Sequence, residues 1–264
     1  MPENSLQWFD SHCHVHEDPD PRELITQGVA QGLGGVVLVG TTYKTTQLAV
    51  NVAAALHLEF ADIFIGATAG IHPHDAGDAL VNSMADFESF VESSPRRSLC
   101  AIGECGLDFF YDYSDRDSQR TVFLRQIDLA NRSKLPLVIH TRDAWDETFA
   151  ILSTNAETPI IFHCFTGGPA ELERCLEFDS YVSFSGIVTF KKSQENAEAA
   201  LICPVERMLV ETDSPYLTPV PLRGKRNVPQ NVALVGQFIS KLKEIDVREL
   251  AAVTSNNAKT AFSI

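Results

Sequence analysis

Three histidines alternate near the start of the chain, in "FDSHCHVHED", at His12, His14 and His16. Successive side chains of an extended strand leave on opposite faces, so His12 and His14 project the same way and one metal ion can take both imidazoles. An HxH pair alone describes packed or surface histidines equally well. Further donors recur, however, in or beside apolar runs: His72 and His74 in "GIHPHD", Glu104 in "IGECGLD", His140 in "VIHTR", His163 in "IIFHCF" and Asp213 in "VETDS". A polar group that ends a hydrophobic strand is costly to bury unless a ligand or hydrogen bond meets it. Histidines mixed with carboxylates suit divalent ions such as zinc or manganese, whereas magnesium prefers oxygen alone. A closed structural zinc site uses four ligands from local loops, often cysteines, and donors this dispersed argue against a metal-stabilised scaffold.

Such donors need a frame that gathers them. Short β-branched or apolar runs bounded by turn residues predict eight strands: "WFDSHCH", "GGVVLVGT", "FIGATAGIH", "LCAIGECG", "LPLVIHT", "PIIFHCF", "YVSFSG" and "RMLVETD". Helix-like segments such as "KTTQLAVNVAAALHLEF", "DSQRTVFLRQIDLANRS", "AWDETFAILSTN" and "PAELERCLEFD" fill most of the gaps. Near-continuous apolar strands alternating with amphipathic helices predict a parallel sheet covered by helices. The α/β reading is a (β/α)8 TIM barrel, with a doubly wound open sheet as the alternative. His12 and His14 are expected to close the first strand, Glu104 to follow the fourth, His140 and His163 to end the fifth and sixth, and Asp213 to end the eighth. In a parallel barrel those C-terminal ends open onto one face, where barrel enzymes build their sites. A long loop, "TDSPYLTPVPLRGKRNVPQ", precedes predicted helices "NVALVGQFISKLKEI", "DVRELAAVTS" and "NNAKTAFSI". No repeat or linker divides the sequence, so residues 1–264 are expected to form one domain.

The 264 residues are 44% hydrophobic and carry a net charge of −14, which excludes a broad electrostatic grip on nucleic acid. Phosphate contacts must come from metals and a few placed cations, of which Arg142, Arg223, Lys225 and Arg226 lie beside the candidate donors. The apolar stretch "GLGGVVLVG" is too short to span a bilayer, and "MPENSLQWFD" lacks a basic start and apolar run. A cytoplasmic monomer without membrane contact is the default expectation. The six cysteines form no CxxC pair and read as reduced and mostly buried, with Cys13 and Cys164 near the donors by position only.

The ordered motifs "FDSHCH", "GIHPHD", "IGECGLDFFYD", "VIHTRDAW", "FHCFTGG", "LVETDSPYLTP" and "RGKRNVP" closely resemble the TatD family of metal-dependent deoxyribonucleases and related hydrolases, within the amidohydrolase-like barrel superfamily. The match runs from Phe9 to the final helix. The resemblance implies a barrel with two divalent ions, zinc, manganese or magnesium. By that pattern His12 and His14 bind one ion with Asp213, Glu104 bridges to the second, and His140 and His163 complete the ligands of that second ion. Cys105, Phe109 and Val228 depart from the pattern without touching a ligand position.

The catalytic roles then fall to Glu104, as bridge, and Asp213, as ligand and acceptor of the attacking water's proton. The substrate implied is DNA, single-stranded or at 3′ ends, cleaved by a 3′–5′ exonuclease. An ester or amide hydrolase such as an aminoacyl-tRNA deacylase is the alternative, because the same ions activate water against a carbonyl. His72 is expected near the substrate phosphate, with Arg142, Arg223 and Lys225 as further anion contacts. His74 stays open between loop and site. Asp10 is expected to orient a ligand histidine and Asp108 to shape a turn. His57 reads as helix surface and His16 as loop.

Overall fold

The computed structural model describes residues 6–95, 98–111 and 113–264. Met1 to Ser5, in the segment read above for a signal peptide, and Asp112, which ends the "IGECGLDFFYD" motif, lie outside the described residues. The strands are β1 (Trp8–Cys13), β2 (Leu33–Val39), β3 (Phe64–Ala69), β4 (Leu99–Asp108), β5 (Leu137–Arg142), β6 (Ile160–Phe162), β7 (Tyr181–Phe184) and β8 (Met208–Val210). They pair in parallel in sequence order.

The helices are α1 (Pro21–Ala30), α2 (Tyr43–Glu59), α3 (Ala76–Asn82), α4 (Met84–Ser93), α5 (Arg116–Ser133), α6 (Trp145–Asn155), α7 (Pro169–Leu176), α8 (Gln194–Ile202), α9 (Val232–Lys243) and α10 (Val247–Ala261). Several start on capping side chains written into the sequence. Asp115 accepts the Ser118 amide before α5, and Asp246 accepts the amides of Arg248 and Glu249 before α10.

Closure decides between barrel and open sheet. The Asp213 amide donates to His12 O at 2.9 Å, and the His14 amide donates to Ser214 O at 2.7 Å. The Asp10 carboxylate, fully buried, accepts the Thr212 amide at 2.8 Å and its hydroxyl at 2.6 Å. Asp10 thus stitches the seam between β1 and the segment after β8, and meets His12 through its backbone amide at 3.4 Å rather than, as the sequence expectation had it, through its imidazole. The fold is a (β/α)8 TIM barrel.

Two-sided burial explains the near-continuous apolar runs. In β2, Val36 and Leu38 pack in the outer core under the helices. Val37 and Val39 join Phe9, Val138, Ile161 and Leu209 in a second cluster, to which Phe262, just past α10, also belongs. Among the described residues, no helix is long and apolar enough to cross a membrane.

Three boundaries differ from expectation. "DVRELAAVTS" and "NNAKTAFSI" form the single helix α10, because Asn257 donates its amide to Val205 O and Met208 O and so needs no turn. Glu104 lies inside β4, at a register shift between Ile102 and Cys105. Gly103 (φ 131°) lies within that irregularity and Gly106 (φ 141°) just past it; a Cβ on Gly106 would stand 1.9 Å from His140 O. Finally, β8 stops at Val210, so Asp213 sits beyond the strand, in the left-handed region at φ 54°.

Candidate metal centre

The β4 irregularity delivers one buried carboxylate into a ring of imidazoles. Glu104 Oε1 is 2.9 Å from His163 Nε2, 3.1 Å from His140 Nδ1 and 3.3 Å from His72 Nε2. Its other oxygen, Oε2, is 3.4 Å from His12 Nε2 and 3.9 Å from His14 Nε2. Asp213 Oδ1 closes the second group, 3.4 Å from His14 Nε2 and 3.8 Å from His12 Nε2. The rings of His12 and His163 stack at 3.9 Å and join the two groups.

The outer partner of each ring fixes where its proton sits. His14 Nδ1 lies 2.9 Å from the Val39 carbonyl, which can only accept, so Nδ1 holds the proton. The His14 Nε2 lone pair then faces His12 Nε2 at 3.3 Å. His140 Nε2–H donates to Asp108 Oδ2 at 3.0 Å, which turns the Nδ1 lone pair onto Glu104. His163 Nδ1 lies 3.4 Å from Glu211 Oε1, and among the described residues neither of its ring nitrogens has a partner in hydrogen-bond geometry despite the short approach to Glu104.

Carboxylates and imidazoles this close shift one another's protonation. Burial pulls the pKa of His163 down, but Glu104 and then Glu211 outweigh it and raise it well above the usual value. His14 follows the same pattern, with Asp213 as the dominant opposing charge. Burial alone pushes Glu104 up, yet the imidazoles of His163 and His72 hold it well below the ordinary carboxylate range. The mixed nitrogen and oxygen donors of the cluster fit divalent metal. Ligand atoms of His12, His14 and Glu104 all lie within 4.8 Å of one another, as do those of His12, His163 and Asp213.

His72 also falls within that distance of Glu104 and His140, but the nitrogen that faces Glu104 is the one that carries its proton. The His74 amide donates to His72 Nδ1 at 3.1 Å, so Nε2 carries the hydrogen and donates to Glu104. Burial lowers its pKa to about 4, which keeps the ring neutral. His72 is therefore a hydrogen-bond donor facing the cavity.

Sequence reasoning missed two carboxylates behind the ligands. Asp108 does shape a turn, accepting the amides of Phe110 and Tyr111 on Oδ1, but its Oδ2 also holds both His140 and His74 at 3.0 Å. Glu211, fully buried, faces His163 and accepts the Cys164 amide at 2.8 Å. The available signal was an acid next to an unbroken apolar strand, "RMLVETD". Cys164 itself lines the cavity, a closer association than position alone. All six cysteines are free, and five are buried.

His16 is buried in a short helical turn after β1 with both ring nitrogens unpartnered, and it joins no donor group among the described residues. His57 is exposed on α2. The cavity above the donors measures about 850 Å³ and is lined also by Arg142, His74, Tyr111 and Tyr216. Arg223 instead stacks on Phe190 at 3.8 Å, Arg226 pairs with Asp18 at 2.6 Å, and neither Arg223 nor Lys225 is among the lining residues.

Residues 9–263 match the family model described as TatD related DNase. The uncharacterized metal-dependent hydrolase YabD of Bacillus subtilis is 39% identical over 97% of this chain and 99% of its own length. The protein named 3′-5′ ssDNA/RNA exonuclease TatD of Escherichia fergusonii is 32% identical over 93% and 94%. The crystal structure of YjjV, a TatD homologue from Escherichia coli, superposes with a TM-score of 0.88 at 24% identity, covering 98% of this chain and 99% of that one. Sequence and architecture thus meet on the same donor-bearing strands, and the chain belongs to the TatD-related DNase family as a metal-dependent hydrolase.

Proposed function

We propose that the chain is a two-ion phosphodiesterase that removes nucleotides from the 3′ end of single-stranded DNA. One observation carries this reading: the two oxygens of Glu104 face separate sets of imidazoles at one cavity. His12, His14 and Asp213 would hold one ion, His140 and His163 the other, with Glu104 shared. When bound, divalent ions supply a water acidic enough to ionise near neutral pH and positive charge for phosphate oxygens.

The chain's own residues do the rest. Asp213 lines the cavity and is placed to accept the proton of the attacking water as its oxygen bonds to phosphorus and the P–O3′ bond breaks. His72 Nε2–H, neutral, offers a hydrogen bond to a phosphate oxygen in exchange for Glu104. The Arg142 guanidinium lines the same cavity and adds a fixed cation. The relative named an ssDNA/RNA exonuclease supports the substrate class. Arg223 and Lys225 can meet only parts of a strand that extend past the cavity.

The test uses 3′-labelled and 5′-labelled single-stranded DNA with chelated protein, then with added magnesium, manganese or zinc, beside Glu104→Ala. Release of the 3′ label first, dependent on metal and on Glu104, is the expected result. Turnover of an aminoacyl-tRNA ester with no release from DNA overturns the nuclease reading in favour of the carbonyl one.

A further inference from the structure

Beside the metal centre the sequence "DFFYDY" leaves large aromatics in water. Phe110 is 54% exposed, Tyr111 38% and Tyr113 71%. Clustered aromatics that forgo burial mark a surface that something else covers.

These rings stand on a fixed base. Asp108 Oδ1 accepts the amides of Phe110 and Tyr111, each at 3.0 Å. Ser114 donates to His74 O at 2.7 Å, and Gln119 donates to Ser114 O at 3.0 Å. The Tyr111 and Tyr113 rings lie parallel within 3°, their centroids 5.4 Å apart. The Arg142 guanidinium covers the Phe110 ring at 3.9 Å and reaches Tyr111 at 4.8 Å. Tyr111, Arg142 and His74 also line the cavity over Glu104, so the aromatic surface runs directly into it.

Charge narrows the identity of the occupant. A chain of net −14 cannot hold a polyanion through a distributed field, because that mode needs many lysines and arginines replacing counterions. Stacking of bases on aromatic faces is insensitive to net charge and tolerant of sequence. In a duplex those base faces are already covered by their neighbours. We infer that Phe110, Tyr111 and Tyr113 form a stacking site for unpaired nucleobases of the strand whose phosphodiester reaches Glu104. This deepens the nuclease reading and rests on it: the rim selects single strands, while the floor performs hydrolysis.

The test is fluorescence anisotropy of metal-loaded protein with a fluorescein-labelled, phosphorothioate-linked oligothymidylate that resists cleavage. Tyr113→Ala and Tyr111→Ala should each weaken binding about tenfold, while Tyr113→Phe stays within about twofold of wild type. Abasic sites at the 3′ end should weaken wild-type binding by a similar factor and add nothing further in Tyr113→Ala. Affinity should fall only weakly with salt, with a log–log slope of about −0.7 to −1.4, as for one or two phosphates on a single strand. Undiminished binding in both alanine variants, or equal affinity for intact and abasic strands, overturns the stacking site. A fall in sedimentation mass on Tyr113→Ala overturns it too, by assigning the rings to self-association. Cleavage of unmodified strands by wild type separates the two readings: without it the nuclease proposal fails, and with it only the stacking site is at stake.

Discussion

On the Oε2 side of Glu104, His12 and His14 come from one short run of chain, with a backbone carbonyl behind His14 and, among the described residues, no partner on His12 Nδ1. On the Oε1 side, His140 and His163 come from different segments, with the buried carboxylates of Asp108 and Glu211 behind them. A carboxylate behind an imidazole makes it more basic and fixes its orientation. The first side gains its negative charge instead from Asp213 as a direct donor, which also opens it to the cavity. The same ligand chemistry is thus supported from behind on one side and from the front on the other. Under the proposed function, support from behind would favour retention of an ion, and support from the front would leave a group exposed to the cavity to take a proton.

The largest effect should come from Glu104→Ala, which breaks the comparison by removing the atoms common to both sides. Metal content by mass spectrometry should fall from two ions per chain to none, and turnover by roughly 10³-fold or more, matching several kcal/mol of lost charge stabilisation. Retention of either ion would show that the sides do not share this carboxylate.

Next, Glu211→Gln should sharpen the comparison by weakening one side alone. Titration calorimetry should show one of two binding steps weakened about 10–100-fold and the other unchanged. Equal weakening of both steps would contradict the assignment of Glu211 to His163.

Gly106→Ala tests the backbone beneath the same side. Its Cβ meets His140 O and its φ of 141° is strained for alanine, so thermal unfolding should show a loss of about 1–3 kcal/mol. Loss of an ion from the His140 position should accompany it, and an unshifted unfolding curve would refute the steric account.

The smallest effects belong to the cations around the cavity, one at the end of β5 and two in the loop after β8. Arg142→Ala should raise KM about tenfold, as for a charge-assisted contact, whereas Arg223→Ala and Lys225→Ala should stay within about twofold. A larger effect at Lys225 would mean that substrate extends over that loop.

The strands and their histidines were legible because an apolar run broken by a single histidine has few readings, and the alternation of side chains fixes direction. Glu104 was legible by type but not by place. Its position depends on backbone torsions at Gly103 and Gly106, and only the glycines themselves, in "IGECG", hinted at them. Glu211 was hidden by Asp213. Two acids two residues apart look alike in a strand, but β8 ends at Val210 and the left-handed turn at Asp213 sends one forward into the cavity while the other stays behind His163. His72 shows the same limit, since its role follows from a tautomer set by the His74 amide, which no spacing reveals.

The seam that closes the barrel joins groups up to 202 residues apart, Asp10 with Thr212. Contacts of such sequence separation form late, after the intervening chain has paid its loop-closure entropy. During synthesis His12 and His14 emerge first and wait through almost the whole chain for Asp213. The candidate centre is therefore complete only once the two ends of the barrel have met, because Asp213 joins His12 and His14 across that closure.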